Sequence, residues 1–551
     1  MGASMSETAT AISYVHGATD VPLLGETLGQ NLDRTAARFG DRPALIVRDQ
    51  GVRWTYAELD VDVDAVARGL LAAGIAQGDR VGMWSPNSAE WVLVQYATAK
   101  VGAILVNVNP AYRTHELGYA LKHAGVRLLV SATTFKTSDY AAMVEQVRGE
   151  CPALERVVLV GTSSWDDLLA GGTSVPPEVL RKRMAELSAD DPVNVQFTSG
   201  TTGSPKGATL THHNILNNGF FIGEAMRLTE RDRLCIPVPL YHCFGMVLGN
   251  LACTTHGAAM VYPGQGFDPL AVLQAVAEER CTGLHGVPTM FIAELEHPEF
   301  DRFDLSSLRT GIMAGSPCPI EVMRRAVERM HLREITICYG MTETSPVSFQ
   351  SSADDPLERR VSTVGRIHPH VEVKIVDADG RVVPRGTPGE LCTRGYPVML
   401  GYWGDEERTR QVIDPARWMH TGDLATLDAE GYCNIVGRIK DMVIRGGENV
   451  YPREVEEYLY THPKIQDVQC FGVPDARYGE ELCAWVKLRA GETMTEEEVR
   501  DYCRGRIAHQ KVPRYVRFVE EFPMTVTGKM QKYLMRETMA RELGVATAAT
   551  A

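Results

Sequence analysis

From about residue 40 to residue 190 the chain alternates short apolar runs with stretches of helical period. Arg80-Val-Gly-Met-Trp84 predicts a strand, 89–101 an amphipathic helix and 104–108 the next strand. The pattern recurs at 128–130 and 157–160. Strands alternating with helices build βαβ units and mostly parallel sheets. The stretch from about 360 to 436 reads differently. Residues 371–376 alternate with period two, Asp379-Gly380 supplies a turn and Val382-Val383 returns, which predicts a hairpin in a small β-rich subdomain. After Gly437 the pattern changes again. A helix is expected over 452–460 with Pro452 in its first turn, strands over 468–473 and 482–488, and a helix over 495–507. The expected fold class is therefore α/β. A large N-terminal domain, residues 1–437, holds βαβ-type sheets and the β-rich subdomain, and a small α+β C-terminal domain spans residues 438–551.

From Leu234 to Phe267 the chain has no Asp, Glu, Lys or Arg. Pro237, Pro239, His242, Gly245, Gly249, His256 and Gly257 interrupt it, whereas a spanning helix needs about 20 predominantly apolar residues. Buried strand, turn and helix are expected there, with no transmembrane segment.

Composition bounds the function. At 551 residues, 44% hydrophobic and 23% charged, the chain is ordinary globular material for at least two domains. A net charge of −14 argues against nucleic-acid binding, which needs a basic surface to displace counterions. The 12 cysteines never form a CxxC pair, so reduced thiols in a cytoplasmic protein are expected. Residues 1–30 lack a basic start followed by an apolar run, so no secretory signal is expected.

The most informative segment is Val195-Gln-Phe-Thr-Ser-Gly-Thr-Thr-Gly-Ser-Pro-Lys-Gly207. Gly200, Gly203 and Gly207 permit tight turns that aim backbone N–H groups at an anion. Thr198, Ser199, Thr201, Thr202 and Ser204 add hydroxyls, and Lys206 adds a cation. Phosphate oxygens need such a cradle. The order of residues matches neither GxxxxGK[ST] nor GxGxxG.

This segment resembles the phosphate loop of the adenylate-forming superfamily: acyl-CoA synthetases, peptide-synthetase adenylation domains and luciferases. The resemblance continues in order from about residue 40 to residue 533. Pro239-Leu-Tyr-His-Cys-Phe-Gly245 resembles the family's acyl-pocket segment and Ala314-Gly-Ser-Pro317 its adenine-contacting turn. Tyr339-Gly-Met-Thr-Glu343 resembles its YGxTE motif, and Trp418-Met-His-Thr-Gly-Asp423 its TGD motif. Residues 437–450 resemble the hinge and thiolation loop, and Pro523-Met-Thr-Val-Thr-Gly-Lys529 the C-terminal lysine motif. The wording is most similar to bacterial fatty-acyl and medium-chain acyl-CoA synthetases.

The resemblance implies that a carboxylic acid reacts with ATP to give an acyl-adenylate and pyrophosphate, and that coenzyme A then takes the acyl group. It implies ATP contacts at Thr198 through Lys206, Pro205 included, and at Gly315, Ser316, Pro317, Tyr339, Gly340, Met341, Thr342, Asp423, Arg438 and Lys529. Mg²⁺ is implied near Thr198 and Glu343. The catalytic set implied is Lys529, Glu343, Thr198 and His242. His242, Phe244, Gly245, Met246, Ala314 and Gly315 would shape the acyl pocket, Gly245 leaving room for a chain. Gly446, Gly447 and Glu448 would line the path for coenzyme A, and Lys440 would be the hinge of a mobile small domain. The charge-free flank of His242 favours a medium-chain, mainly apolar acid. Delivery to a carrier protein, an aryl or other small acid, and a non-catalytic nucleotide-binding role remain alternatives. Oligomeric state stays open, a homodimer included.

Overall fold

The apolar runs of the first half become the inner strands of two large sheets. The computed structural model describes residues 11–198, 205–316, 318–445, 448–475, 477–524 and 530–545. One sheet has seven strands in the spatial order Gly401–Tyr402, Lys206–Thr211, Pro192–Thr198, Ile104–Asn107, Arg80–Trp84, Leu128–Ser131 and Arg156–Leu159. Its five last strands pair in parallel and its first two pairings are antiparallel. A second sheet of nine strands runs from Arg366–Ile367 through Glu334–Gly340, Thr310–Met313, Gly283–Gly286 and Arg233–Cys235 to Val52–Thr55. The strands foreseen at 80–84, 104–108, 128–130 and 157–160 are present to within a residue or two.

Helix Ala89–Val101 has the expected bounds but is not amphipathic. Every residue except Glu90 is buried, Lys100 among them. Ser88 caps its start and Gly102, at φ +74°, ends it. A helix buried on all sides must neutralise any charge it carries. The Lys100 ammonium lies 2.6 Å from each of Asp33, Asp60 and Asp64, so three helices converge on one cation. Burial raises the Asp33 carboxyl to about 6, with the ammonium pulling the other way.

The charge-free stretch folds as foreseen, into strand Arg233–Cys235, a π-helix Phe244–Leu251, helix Ala252–His256 and strand Ala259–Tyr262. A π-helix is a rare element found disproportionately at functional sites.

By backbone contacts the chain divides into two compact units. One comprises His16–Glu372 and Thr393–Met419. The other gathers the N-terminal residues to Val15, Val373–Cys392 and the chain from His420 onward. A five-stranded sheet is ordered Tyr14–His16, Val371–Val376, Gly389–Gly395, Met419–Leu427 and Cys433–Arg438. The hairpin foreseen after Val376 is reduced to one isolated bridge, Val376 to Val382. The C-terminal α+β fold wraps helices Pro452–Leu459, Glu496–Cys503 and Lys532–Glu542 on a sheet built from the long hairpin Ile465–Asp475 and Gly479–Leu488. The helix foreseen over 495–507 stops at Cys503. Thr495 is its N-cap, and Gly505, at φ +70°, turns the chain away.

All twelve cysteines are free thiols, and all but the half-buried Cys338 are buried.

Candidate active site

Thr198 and Lys206 are the last paired residues of an antiparallel hairpin, so they bracket the phosphate-loop segment at its two ends. The Thr198 hydroxyl donates to the Lys206 carbonyl at 3.4 Å, and the Pro205 carbonyl accepts from Tyr119 Oη at 3.1 Å. Ser199, Gly200, Thr201, Thr202, Gly203 and Ser204 lie outside the described residues. Lys206 Nζ stands 5.1 Å from the centroid of the Tyr402 ring, within cation–π range.

Tyr402 connects this hairpin to the second motif. Strand Gly401–Tyr402 pairs with Lys206–Thr211, and the Tyr402 N–H donates to Thr409 Oγ1 at 2.8 Å, which fixes the residue. Its phenol donates to Glu343 Oε1 at 2.8 Å. Burial and then the adjoining carboxylate hold the Tyr402 phenol far above its usual range, so it stays a donor. Glu343 is itself buried, and its carbonyl accepts from Met399 N–H at 2.9 Å. Nothing local in the sequence marks Tyr402, whose partner lies 59 positions away.

Glu343 sits in the short turn Thr342–Thr344 between strands Glu334–Gly340 and Val347–Gln350. The turn is tight because Gly340 lets the chain pass: a Cβ there would lie 1.7 Å from the Pro346 carbonyl oxygen. Met341 N–H donates to that same oxygen at 3.0 Å. Tyr339 packs its ring against Phe349 at 6.4 Å. Ala314 is buried at the end of strand Thr310–Met313, followed by Gly315 at φ +92° and Ser316, while Pro317 lies outside the described residues.

The His242 segment reaches the same turn. Cys243 Sγ lies 3.9 Å from Thr342 Oγ1 and 3.6 Å from His242 Nδ1. The His242 carbonyl accepts from Gly245 N–H and Met246 N–H at 3.0 and 3.1 Å, and its Nδ1 accepts from Phe244 N–H at 3.2 Å, so His242 starts the π-helix. A Cβ on Gly245 would lie 2.4 Å from the Pro239 carbonyl oxygen, so the space it leaves is taken by backbone. Met246 is buried, its sulfur accepting from Asn107 Nδ2 and Gln196 Nε2, each at 3.1 Å. Phe244 leans on His285 with ring centroids 5.3 Å apart. His285 shares a hydrogen bond of 2.9 Å between its Nε2 and the Leu248 carbonyl of the π-helix, and burial lowers its pKa to about 4.

In the other unit, Asp423 and Arg438 face each other across strands Met419–Leu427 and Cys433–Arg438. Arg438 Nε–H donates to Asp423 Oδ1 at 3.2 Å, and Asp423 is otherwise buried. Lys440 is exposed on the single turn Ile439–Asp441. Glu448 is exposed opposite Arg445 at the end of a short hairpin. Gly446, Gly447 and Lys529 lie outside the described residues.

Residues 32–403 match the AMP-binding enzyme family, and residues 454–529 match the AMP-binding enzyme C-terminal domain. The chain belongs to the AMP-binding enzyme family. It is 50% identical to the putative acyl-CoA synthetase YngI of Bacillus subtilis over 535 residues, covering 94% of this chain and 97% of that one. It is 48% identical to the mitochondrial medium-chain acyl-CoA ligase ACSF2 of Danio rerio, covering 97% and 91%. Among solved structures, an anthranilate CoA ligase, AuaEII, in complex with anthranoyl-AMP superposes with a TM-score of 0.87 at 28% identity, covering 96% and 99%. ATP-bound MatB from Rhodopseudomonas palustris gives 0.79 at 29%, covering 94% and 99%. The protein is an AMP-forming acid–CoA ligase of this family, and the mixed α/β architecture foreseen from the sequence is the one observed. Among the described residues no helix is long and apolar enough to cross a membrane.

Proposed function

We propose that this AMP-binding enzyme activates a medium-chain, mainly apolar monocarboxylate, with the nucleotide held between the Thr198–Lys206 hairpin and the Glu343 turn. The observation that carries this reading is Tyr402, which bonds the Glu343 carboxylate while its ring lies under the Lys206 ammonium. One aromatic side chain thus ties a cation and an anion from two motifs into a single frame.

The chemistry joins two anions, so charge neutralisation and in-line alignment dominate it. A carboxylate oxygen bonds to the α-phosphorus while the bond from that phosphorus to the pyrophosphate oxygen breaks. The sulfur of coenzyme A then bonds to the acyl carbon and AMP leaves. Lys206, Thr198 and the Thr342 hydroxyl would hold phosphate oxygens, and Asp423 with Arg438 would take the ribose diol, for which an acceptor-only carboxylate is suited. Lys529 would neutralise charge between the attacking carboxylate and the α-phosphate. Lys440 would serve as hinge for a domain of residues 438–551, and Gly446, Gly447 and Glu448 would border the pantetheine path.

A buried carboxylate steadied through one oxygen suits a hard cation that keeps its waters and leans on substrate phosphates. Glu343 would hold Mg²⁺, with Thr198 beside it, and the ion when bound would neutralise phosphate charge. Twelve free thiols suit a reducing compartment such as the cytoplasm.

The choice of acid is supported by the charge-free stretch around His242 and by the medium-chain ligase named above. Each buried methylene contributes about 0.8 kcal/mol until the pocket is full. Pyrophosphate release measured over acids from acetate to stearate, with and without coenzyme A, should therefore climb with chain length and then fall. A best substrate that is acetate or a dicarboxylate refutes the assignment. Lys529→Ala should cripple pyrophosphate release while ATP still binds; near-normal release would remove Lys529 from its role.

A further inference from the structure

Two clusters of side chains among the described residues have the donor atoms and closeness of a metal site, and they differ in one respect. Asp33, Asp60 and Asp64 already converge on a cation, the Lys100 ammonium, which takes the position a metal ion would occupy. Glu390, Cys392 and His420 are chemically mixed. Glu390 and Cys392 stand two apart on strand Gly389–Gly395, and side chains two apart share a face. His420 comes from the neighbouring strand Met419–Leu427. Glu390 Oε2 lies 2.9 Å and Cys392 Sγ 3.5 Å from His420 Nδ1. All three donor atoms fall within 4.8 Å of one another.

We propose that Glu390, Cys392 and His420 bind one thiophilic divalent cation of the zinc class. Bonds of about 2.3 Å to sulfur and about 2.0–2.2 Å to nitrogen and oxygen put neighbouring donors of a tetrahedron about 3.3–3.6 Å apart. The sulfur–nitrogen separation has that value, and the oxygen–nitrogen separation falls short of it by a few tenths of an ångström. The frame is rigid: Thr421 Oγ1 donates to the Leu391 carbonyl at 2.7 Å, and Gly422 N–H donates to Glu390 Oε1 at 3.2 Å. The carboxylate therefore keeps Oε1 on the backbone and offers Oε2 to the ion. Cys392 is buried, while the Glu390 and His420 side chains are 23% and 34% exposed, which gives the ion an entry and a fourth position for water. On binding, the Cys392 thiol releases its proton to solvent and the imidazole hydrogen moves from Nδ1 to Nε2. A thiolate and an imidazole select zinc, cobalt or nickel over magnesium, so this site is separate in kind from the one proposed at Glu343.

The site also touches the nucleotide reading. Glu390 holds the amide of Gly422, whose next residue is Asp423. An ion drawing on Glu390 pulls on the strand that carries the proposed ribose acceptor. This coupling rests on the role given to Asp423; the binding does not.

The test uses the full chain, stripped with a chelator and titrated with Co²⁺. One equivalent should bind with a thiolate-to-cobalt charge-transfer band in the near ultraviolet, and Zn²⁺ should displace it. Cys392→Ser should lose the band and His420→Asn should weaken it, with both variants keeping pyrophosphate release in metal-stripped buffer supplied with Mg²⁺. Absence of the band in the unaltered chain, or its survival in Cys392→Ser, overturns the proposal and leaves the ligase reading intact. Zinc should raise the KM for ATP in the unaltered chain and not in Cys392→Ser; an unchanged KM overturns the coupling to Asp423.

Discussion

Tyr402 lies in neither motif it connects, yet its hydroxyl steadies the carboxylate proposed to hold the metal. A hydrogen bond to a charged group is worth roughly 1.5–3 kcal/mol. Tyr402→Phe, which keeps the ring under Lys206, should lower kcat for pyrophosphate release by about 10-fold or more and raise the Mg²⁺ concentration needed for half-maximal rate. If both stay unchanged, Tyr402 has no part in positioning Glu343. Glu294 offers a second test, of stability. It is buried, neither carboxylate oxygen has a hydrogen-bond partner, and burial raises its pKa well above 4.5. Above pH 4.5 the unfolded chain gives up this proton while the folded chain keeps it, so the group takes stability away as pH rises. His285 and His368, lowered by burial to about 4 and about 3, act in the opposite sense: stability rises with pH from there toward 6.5. Comparing Glu294→Gln with the unaltered chain cancels the histidine part. Denaturant melts should show a gain for the variant at pH 8 that vanishes toward pH 4.5; a pH-independent difference would show that Glu294 does not titrate this way. Glu343 and Asp423 were singled out as candidates because each stands in a contiguous motif. Tyr402 and the Cys392–His420 pair were not, because their partners lie 59 and 28 positions away and only strand pairing joins them.

Apolar patterning located elements well where strands and helices alternate, and less well where a glycine or a neighbouring element decides. Helix Ala89–Val101 was foreseen in extent but expected to be amphipathic, although it carries Glu90, Gln95 and Lys100 on different sides. The structure satisfies two of these inside: Lys100 with three aspartates, and Gln95 Nε2 with the Met246 carbonyl at 3.3 Å. Pattern alone carries no information about such partners. The π-helix Phe244–Leu251 was likewise invisible in kind, since an apolar run does not disclose its hydrogen-bond period. Its start depends on Gly245. Gly245→Ala sets a methyl group against the Pro239 carbonyl and should destabilise the chain by about 1–3 kcal/mol, the usual cost of overpacking. Gly264→Ala, where the nearest atom is 4.0 Å away, is the control and should be neutral. Equal unfolding midpoints for the two variants would show that the segment relaxes around the added atom.

Across the whole molecule, the two reaction steps are proposed to call on different parts of the C-terminal segment: Lys529 for adenylation and the Gly446–Gly447 stretch for thioester formation. Lys440, exposed on one short turn after Arg438, is the proposed pivot. Proline fixes φ near −65° and removes an N–H. Lys440→Pro should keep acyl-adenylate formation and lose transfer to coenzyme A, measured as separate half-reactions. Loss of both by the same factor, or of neither, would remove the hinge from this position. The distribution of cysteines offers a way to follow the molecule as it comes apart. Five of the twelve thiols, Cys392, Cys433, Cys470, Cys483 and Cys503, belong to the smaller unit and seven to the larger. Nearly all are shielded in the native chain, so a maleimide added during slow denaturation writes the order of opening into the mass of the product. A species heavier by five labels records the smaller unit yielding first, and one heavier by seven records the reverse.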